Sequence, residues 1–320
     1  MRVATIDLRR DAVTVEALGG GVARRRKEGI IRRLFLGAAA LALVINAAIV
    51  VTLVAGSIDF LQELLKLDLL PSLVSDIGWF PRRNAFDIRT IFVGTVLISV
   101  MAMLVATPLG LGAALYLSEF ARPWARRLLK PILEVLAGVP SVVLAYFAIS
   151  FISPTIVQNL FERASFYNMA AAALAVGVLI TPIVASVAED ALHAVPLSLR
   201  EASYGLGARR RSTSSRVVFP AAISGIVAAL ILGLSRAIGE TLIVTIAAGG
   251  TAGSDLTFDP LSSGTTMTAA MASLATGSDQ VKAAGPAFPS LFFVGLLLFL
   301  LTLGLNVASE RFVRRVRRRY

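Results

Sequence analysis

The chain is predicted to be an all-α polytopic membrane protein with six spanning helices. Three observations carry that expectation. Hydrophobic residues make up 56% of the 320 residues and charged residues only 16%, with a mean hydropathy of +0.78. A soluble domain carries about 25% charged residues. The apolar residues gather in long runs, the first covering 23 residues from Leu34 to Gly56, and about 20 apolar residues cross a bilayer as a helix. The 31 Lys and Arg, finally, alternate between loops rather than spreading evenly.

Residues 1–33 are polar and hold two basic clusters, Arg24-Arg25-Arg26-Lys27 and Arg32-Arg33. They read as a cytoplasmic tail. The run after them exceeds the h-region of about 7–15 residues found in cleavable signals, so it reads as a retained first span. Residues 34–89 comprise that span and an outer amphipathic loop. Within the loop Ile58, Leu61, Leu64, Leu65 and Leu69 recur at helical spacing between Asp59, Glu63, Lys66 and Asp68. The pattern suits a short helix on the outer leaflet, or part of a docking surface for an outside partner.

The core covers residues 90–310. Its second span is expected at Thr90–Leu117 with Pro108 inside, its third at Ile132–Ser153 interrupted by Pro140, and its fourth at Tyr167–Ala188 with Pro182 inside. The fifth is Val217–Gly249 and the sixth Pro289–Val307. Prolines persist in membrane helices where neighbours or water satisfy the freed carbonyl. Such a pattern fits a bundle around a cavity. Thr265-Thr266-Met267-Thr268 is expected to dip back as a short helix, which only a protein or aqueous surround permits.

The N-terminal tail, residues 118–131, residues 189–216 and the C-terminal tail hold 24 Lys and Arg, against 6 in the alternate loops. That split places both termini in the cytoplasm, with the chain in the plasma membrane. The basic tail at 311–320 then reads as an orientation anchor against membrane lipid, and the net charge of +11 does not call for nucleic acid. The chain has no cysteine, which removes disulfides and thiolate metal sites. No glycine loop precedes any lysine in a Walker pattern, so ATP hydrolysis has no residues here. His193 is the single histidine and lies in a basic loop, which gives metal or hydrolytic chemistry no support. No enzyme activity, cofactor or metal is expected.

The fifth span is the stretch around which the rest is organised. It carries Arg236 and Glu240 close to its centre. A charge at mid-depth costs roughly 2.5–3.5 kcal/mol on insertion scales. A continuous helix would set the two on one face, one turn apart. That face must look into protein or water, and it reads as the lining of a polar pathway or as a structural ion pair.

The loop at 189–216 leads into Val217-Val218-Phe219-Pro220. It resembles the coupling segment of binding-protein-dependent ABC importer permeases. Glu201, Ala202, Gly207 and Pro220 stand at that pattern's spacing, while Ser203, Val217 and Phe219 depart from it conservatively. Pro196 ends the preceding helix, and a coupling helix near 198–208 would close at Gly205 or Gly207. Residues 234–241, Leu-Ser-Arg-Ala-Ile-Gly-Glu-Thr, resemble the fifth-helix signature of phosphate-specific permeases. Glu134 to Ser141 and Leu117-Ser118-Glu119-Phe120 also match that group. Leu242-Ile243-Val244-Thr245 after Glu240-Thr241 is closer to the PstC type than the PstA type, and Leu144-Ala145 departs from the group's usual pair.

The resemblance implies a type I permease bundle that translocates inorganic phosphate. It also implies a sister permease, two ATP-binding subunits and an outside phosphate-binding protein. Arg236, Glu240, Thr241, Ser141 and Glu134 would line the substrate pathway. Glu201, Ala202, Ser203, Gly207 and Pro220 would serve coupling to the ATPase. Two alternatives have the same sequence features: a permease for another oxyanion such as sulfate or molybdate, and a non-transporting membrane component that senses phosphate.

Overall fold

The computed structural model describes residues 22–74, 78–250, 253–276 and 285–317. Most of the predicted N-terminal tail and the last three residues of the basic C-terminus lie outside them. Two units divide the chain, Met1–Thr52 and Leu53–Tyr320. The first contributes most of helix α1 (Val22–Lys66), whose apolar side chains from Ile30 to Ile49 are exposed. Residues 22–33, assigned above to the tail, already belong to this helix.

The second unit is a helical bundle. A hairpin of β1 (Trp79–Phe80) and β2 (Ala85–Phe86) precedes α2 (Ile88–Leu115). The next main helices are α3 (Pro123–Ala137), α4 (Ser141–Phe147, continued by a π-helical stretch Ala148–Val157), α5 (Met169–His193) and α6 (Leu197–Gly205). Then come α7 (Arg210–Thr213), α8 (Ile223–Ile238), α9 (Leu242–Ala247), α10 (Met267–Ala275) and α11 (Ser290–Arg317). Among the described residues five helical stretches are long and apolar enough to cross a membrane. A sixth results if Arg210–Ala221 and Ile223–Ile238, bent by 70°, form one span.

Helix α5 is the buried centre, and α2 is its most extensive partner. Ala170 to Ala173, Ala175, Ala185 and Ala188 are all buried along it. Lipid tails are as apolar as leucine, so helices in a bilayer associate through close packing of small residues. Gly177 shows how close: a Cβ there would stand 2.9 Å from Val105 Cβ and 3.0 Å from the Ala102 carbonyl oxygen. Caps fix the starts of both helices. Asp87 accepts from the Arg89 N–H at 3.1 Å, and Asn168 accepts from the Ala171 N–H at 2.7 Å.

Three expectations need correction. The apolar stripe at 57–69 is no separate helix on the leaflet, because α1 runs unbroken to Lys66. Its buried positions are Ser57, Phe60 and Leu64, with Ile58 and Leu65 exposed. Phe60 packs edge-on against Phe86 at 5.2 Å, so this end of the helix belongs to the protein core. The third span begins at Ser141, not Ile132, and runs to Leu160. Gly138-Val139-Pro140 interrupts the chain there, and α3 before it is an amphipathic helix with Arg126, Arg127 and Lys130 on it. The fifth span is not continuous, as described below.

The segment at 265–268 does enter the bundle. Thr266 caps α10 by accepting from the Ala269 N–H at 3.2 Å, and the Met267 N–H donates to Thr95 Oγ1 at 3.0 Å. Residues 264–270 are buried. Gly94 permits the approach: a Cβ there would lie 2.1 Å from the Thr265 carbonyl oxygen. Gly94→Ala is therefore expected to destabilise the bundle by about 1–3 kcal/mol, the usual cost of overpacking. A thermal unfolding series on the purified variant measures it. An unchanged midpoint would mean that α10 does not press on α2.

Candidate translocation and coupling site

Helix α8 stops at Ile238, with Gly239 at its cap, and α9 begins at Leu242. Arg236 occupies the last turn of α8, while Glu240 lies in the break itself. The expectation of two charges on one continuous helical face is thus wrong in geometry. The pairing survives it. Arg236 Nη2 stands 3.6 Å from Glu240 Oε2.

The two charges have different surroundings. Glu240 is 3% exposed and Arg236 48% exposed. Glu240 Oε1 also accepts from the Ile243 N–H at 3.4 Å, in the first turn of α9. Thr268 Oγ1 donates to the Glu240 carbonyl at 2.8 Å. Helix α10 thereby satisfies a backbone acceptor that the broken helix leaves free. Arg236 makes no hydrogen bond to a described residue, so most of its five donors remain available. Its position at a helix C-terminus also favours a cation. Broken helices with charged or polar groups at the break are how transporters build substrate sites inside a bilayer.

The other predicted pathway residues scatter. Thr241 adjoins the break, and its hydroxyl donates to the Gly239 carbonyl at 3.2 Å. Ser141 begins α4, and α4 packs against α9. Glu134 is exposed on α3, on the other side of the Pro140 interruption. No hydrogen bond or ion pair among the described residues joins Ser141 or Glu134 to Arg236 or Glu240.

Of the residues expected to couple, all but Pro220 lie on or at the end of α6. Glu201 and Ala202 are exposed on it, and Ser203 faces inward with its hydroxyl 2.9 Å from Thr213 Oγ1. Leu197, Tyr204 and Leu206 are exposed as well, Leu206 at 90%. Gly207 ends the helix at φ +79, and its N–H donates to the Tyr204 carbonyl at 2.9 Å. That left-handed conformation is open to glycine at little cost. No atom lies within 4 Å of where its Cβ would be. Pro220 is not on this helix but in the turn before the 70° bend into α8.

Two buried carboxylates emerge that the sequence reading left without a role. Glu119, 3% exposed in a π-helical turn after α2, pairs with Arg200 of α6 at 2.5 Å. Ser118 Oγ donates to its Oε1 at 3.0 Å and Ser214 Oγ to its Oε2 at 3.3 Å. Arg200 also donates to the Leu192 carbonyl at 2.8 Å. Glu189, 1% exposed near the end of α5, binds Arg126 and Lys130 of α3, the latter at 2.7 Å. Hydrogen bonds from Lys130 to Glu189 and then Asp190 raise its pKa above the ordinary 10.5. The first pair ties α6 to the end of α2, and the second ties α3 to α5. Leu117-Ser118-Glu119-Phe120 and the arginine just before Glu201 were the available signals.

A family model for the inner membrane component of binding-protein-dependent transport systems matches residues 106–318. The chain belongs to that family. YqgH of Bacillus subtilis, a probable ABC transporter permease protein, is 31% identical over 71% of this chain and 74% of its own length. The phosphate transport system permease protein PstC 1 of Mycobacterium tuberculosis is 34% identical over 71% of this chain and 72% of its own. PstC of Haemophilus influenzae is 28% identical over 87% and 90%. A solved bacterial ABC transporter for import of the acidic polysaccharide alginate shares the fold, with a TM-score of 0.61 at 16% identity over 91% of this chain and 99% of that one. The inward-facing MetNI methionine ABC transporter aligns with a TM-score of 0.51 at 20% identity, over 72% and 95%. The bundle is thus that of an ABC importer permease.

Proposed function

We propose that this chain is the permease subunit through which an ABC importer moves inorganic phosphate into the cell, with both termini cytoplasmic. The observation that carries the reading is the buried Glu240 beside the half-exposed Arg236 at the break between α8 and α9. A guanidinium fork matches phosphate oxygens. The carboxylate suits an anion that still bears a P–OH near neutral pH, since it accepts that proton's hydrogen bond. Sulfate has no such proton and meets repulsion. The PstC relatives support the same substrate.

The layout supports a mechanism of alternating access. The partners are a sister permease, two ATP-binding subunits and an outside phosphate-binding protein. Closure of the ATP-binding pair moves α6, whose exposed Leu197, Tyr204 and Leu206 offer the contact surface. Arg200 and Glu119 pass that movement to α2. The bundle opens outward, takes phosphate, and resets on hydrolysis, which is alternating access around a central site.

Vesicles test the reading. Labelled phosphate uptake is expected only when this chain, the sister permease, the ATP-binding subunits and the binding protein are reconstituted together with ATP. Uptake by the single chain would overturn the subunit assignment. Equal uptake of sulfate by the full complex would overturn the substrate assignment.

A further inference from the structure

The loops proposed to face outward hold few basic residues, and two of those described are already answered. Asp87 takes Arg89 at 3.0 Å, and Asp259 lies 3.6 Å from Arg163. Arg82 and Arg83 have no carboxylate within ion-pair distance among the described residues. Both stand exposed in the turn between β1 and β2. The turn is rigidly mounted. Trp79 pairs with Phe86 across the hairpin, and Trp79 and Ser254 exchange backbone hydrogen bonds at 2.8 and 3.1 Å. Trp79 is 2% exposed and packs edge-on against the fully buried Phe86. Asn84 closes the turn at φ 57, its N–H donating to the Pro81 carbonyl at 3.2 Å. Arg83 lies over the Phe80 ring at 5.7 Å, which holds its guanidinium in place without neutralising it.

Behind these arginines lies a cavity of about 220 Å³, lined among others by Trp79, Arg82, Arg83, Gly250, Gly253 and Ser273. It has room for a tetrahedral oxyanion with water around it. No carboxylate is among its described lining residues. We propose that this cavity and its two arginines form an outer oxyanion subsite, which collects phosphate at the mouth of the bundle before it reaches Arg236. The inference rests on the outward orientation proposed above. Two guanidinium forks supply bidentate donors to the anion's oxygens. With no carboxylate among the described lining residues to read a P–OH, this subsite holds sulfate as well as phosphate. Discrimination falls to Glu240 further in.

Trp79 lines the cavity, and Trp124 is the only other tryptophan. In a Trp124→Phe background Trp79 is therefore this chain's one tryptophan, and the partner subunits' emission is subtracted with a matched complex carrying Trp79→Phe as well. The experiment titrates inorganic phosphate, then sulfate, into the purified permease complex without binding protein or ATP, at ionic strength held constant with chloride. A saturable change in Trp79 emission is expected for both oxyanions. Arg82→Gln and Arg83→Gln should each weaken it at least tenfold. Both side chains are exposed without a carboxylate partner, so folding is not at stake. Arg236→Lys should leave this titration unaltered while lowering uptake, which separates the subsite from the inner site. No change beyond the chloride control, or a change that survives both substitutions, would overturn the proposal. The cysteine-free chain allows a further check with Asn84→Cys and a membrane-impermeant maleimide. Labelling from outside supports the orientation. Labelling only from inside sinks the orientation, and the subsite's role with it, whatever the titration shows.

Discussion

Arg236→Lys is expected to lower phosphate uptake about tenfold to a hundredfold with the complex still assembled. Hydrogen bonds to charged groups contribute about 1.5–3 kcal/mol, and about 1.4 kcal/mol is a factor of ten. Lysine keeps the charge but loses the fork, so the loss measures bidentate recognition rather than attraction alone. Assembly should persist because Arg236 is 48% exposed and its one described partner is Glu240. Glu240→Gln probes the other half. Its amide oxygen can still accept from the Ile243 N–H, and the Thr268 bond goes to the backbone. The break between α8 and α9 should therefore keep its shape. What changes is the charge, so phosphate flux should fall while sulfate gains access. Uptake of both labelled anions in matched vesicles, with membrane levels of each variant checked, decides the matter. Wild-type rate and selectivity in both variants would make the pair structural.

The architecture was legible because its signals are local and redundant. Apolar runs of spanning length mark the helices, and the Lys/Arg alternation between loops supports their number. The charge pair was legible because two charges in an apolar stretch are costly wherever the helix ends. The break itself was not. Gly239 alone does not stop a helix, and it takes the Thr268 bond from a segment 28 residues away to stabilise the interrupted backbone. The third span was expected to start at Ile132 because Ile132 to Ala137 is apolar apart from Glu134 and leads through Val139 into the apolar run after Pro140. Arg126, Arg127, Lys130 and Glu134 mark α3 as amphipathic, and the Pro140 interruption separates it from α4. The stripe at 57–69 was read only partly in phase, with Leu64 buried as expected but Ile58 and Leu65 exposed and Phe60 missed. Helical spacing fits both faces of α1 there, and Phe60 is chosen for burial by Phe86 and Phe293, which come from distant parts of the chain. Glu119 and Arg200 lie 81 residues apart, so no spacing rule connects them.

That last pair leads to the second large effect. Arg200→Met is expected to uncouple the complex and to destabilise it by about 3–5 kcal/mol, the cost of stranding one member of a buried ion pair. Glu119 would keep the hydroxyls of Ser118 and Ser214 but lose its only described cation. The Leu192 carbonyl would lose a donor too. Glu119→Gln should cost less, since an amide oxygen still accepts from Arg200. The double variant Glu119→Gln with Arg200→Met removes both charges and should be milder than the sum of the two single changes. Such non-additivity is the signature of direct interaction. Stability alone does not establish coupling, so a second readout is needed: ATP hydrolysed per phosphate imported in the reconstituted complex. A pair that only stiffens the bundle would lower both rates together. A pair that carries movement from α6 to α2 leaves hydrolysis running while import falls, and the ratio rises. Additive stability losses with an unchanged ratio would mean that α6 transmits its movement by another route. Residues 214–221, which join α7 to the bend before α8, are then the remaining covalent path from the coupling segment to Arg236.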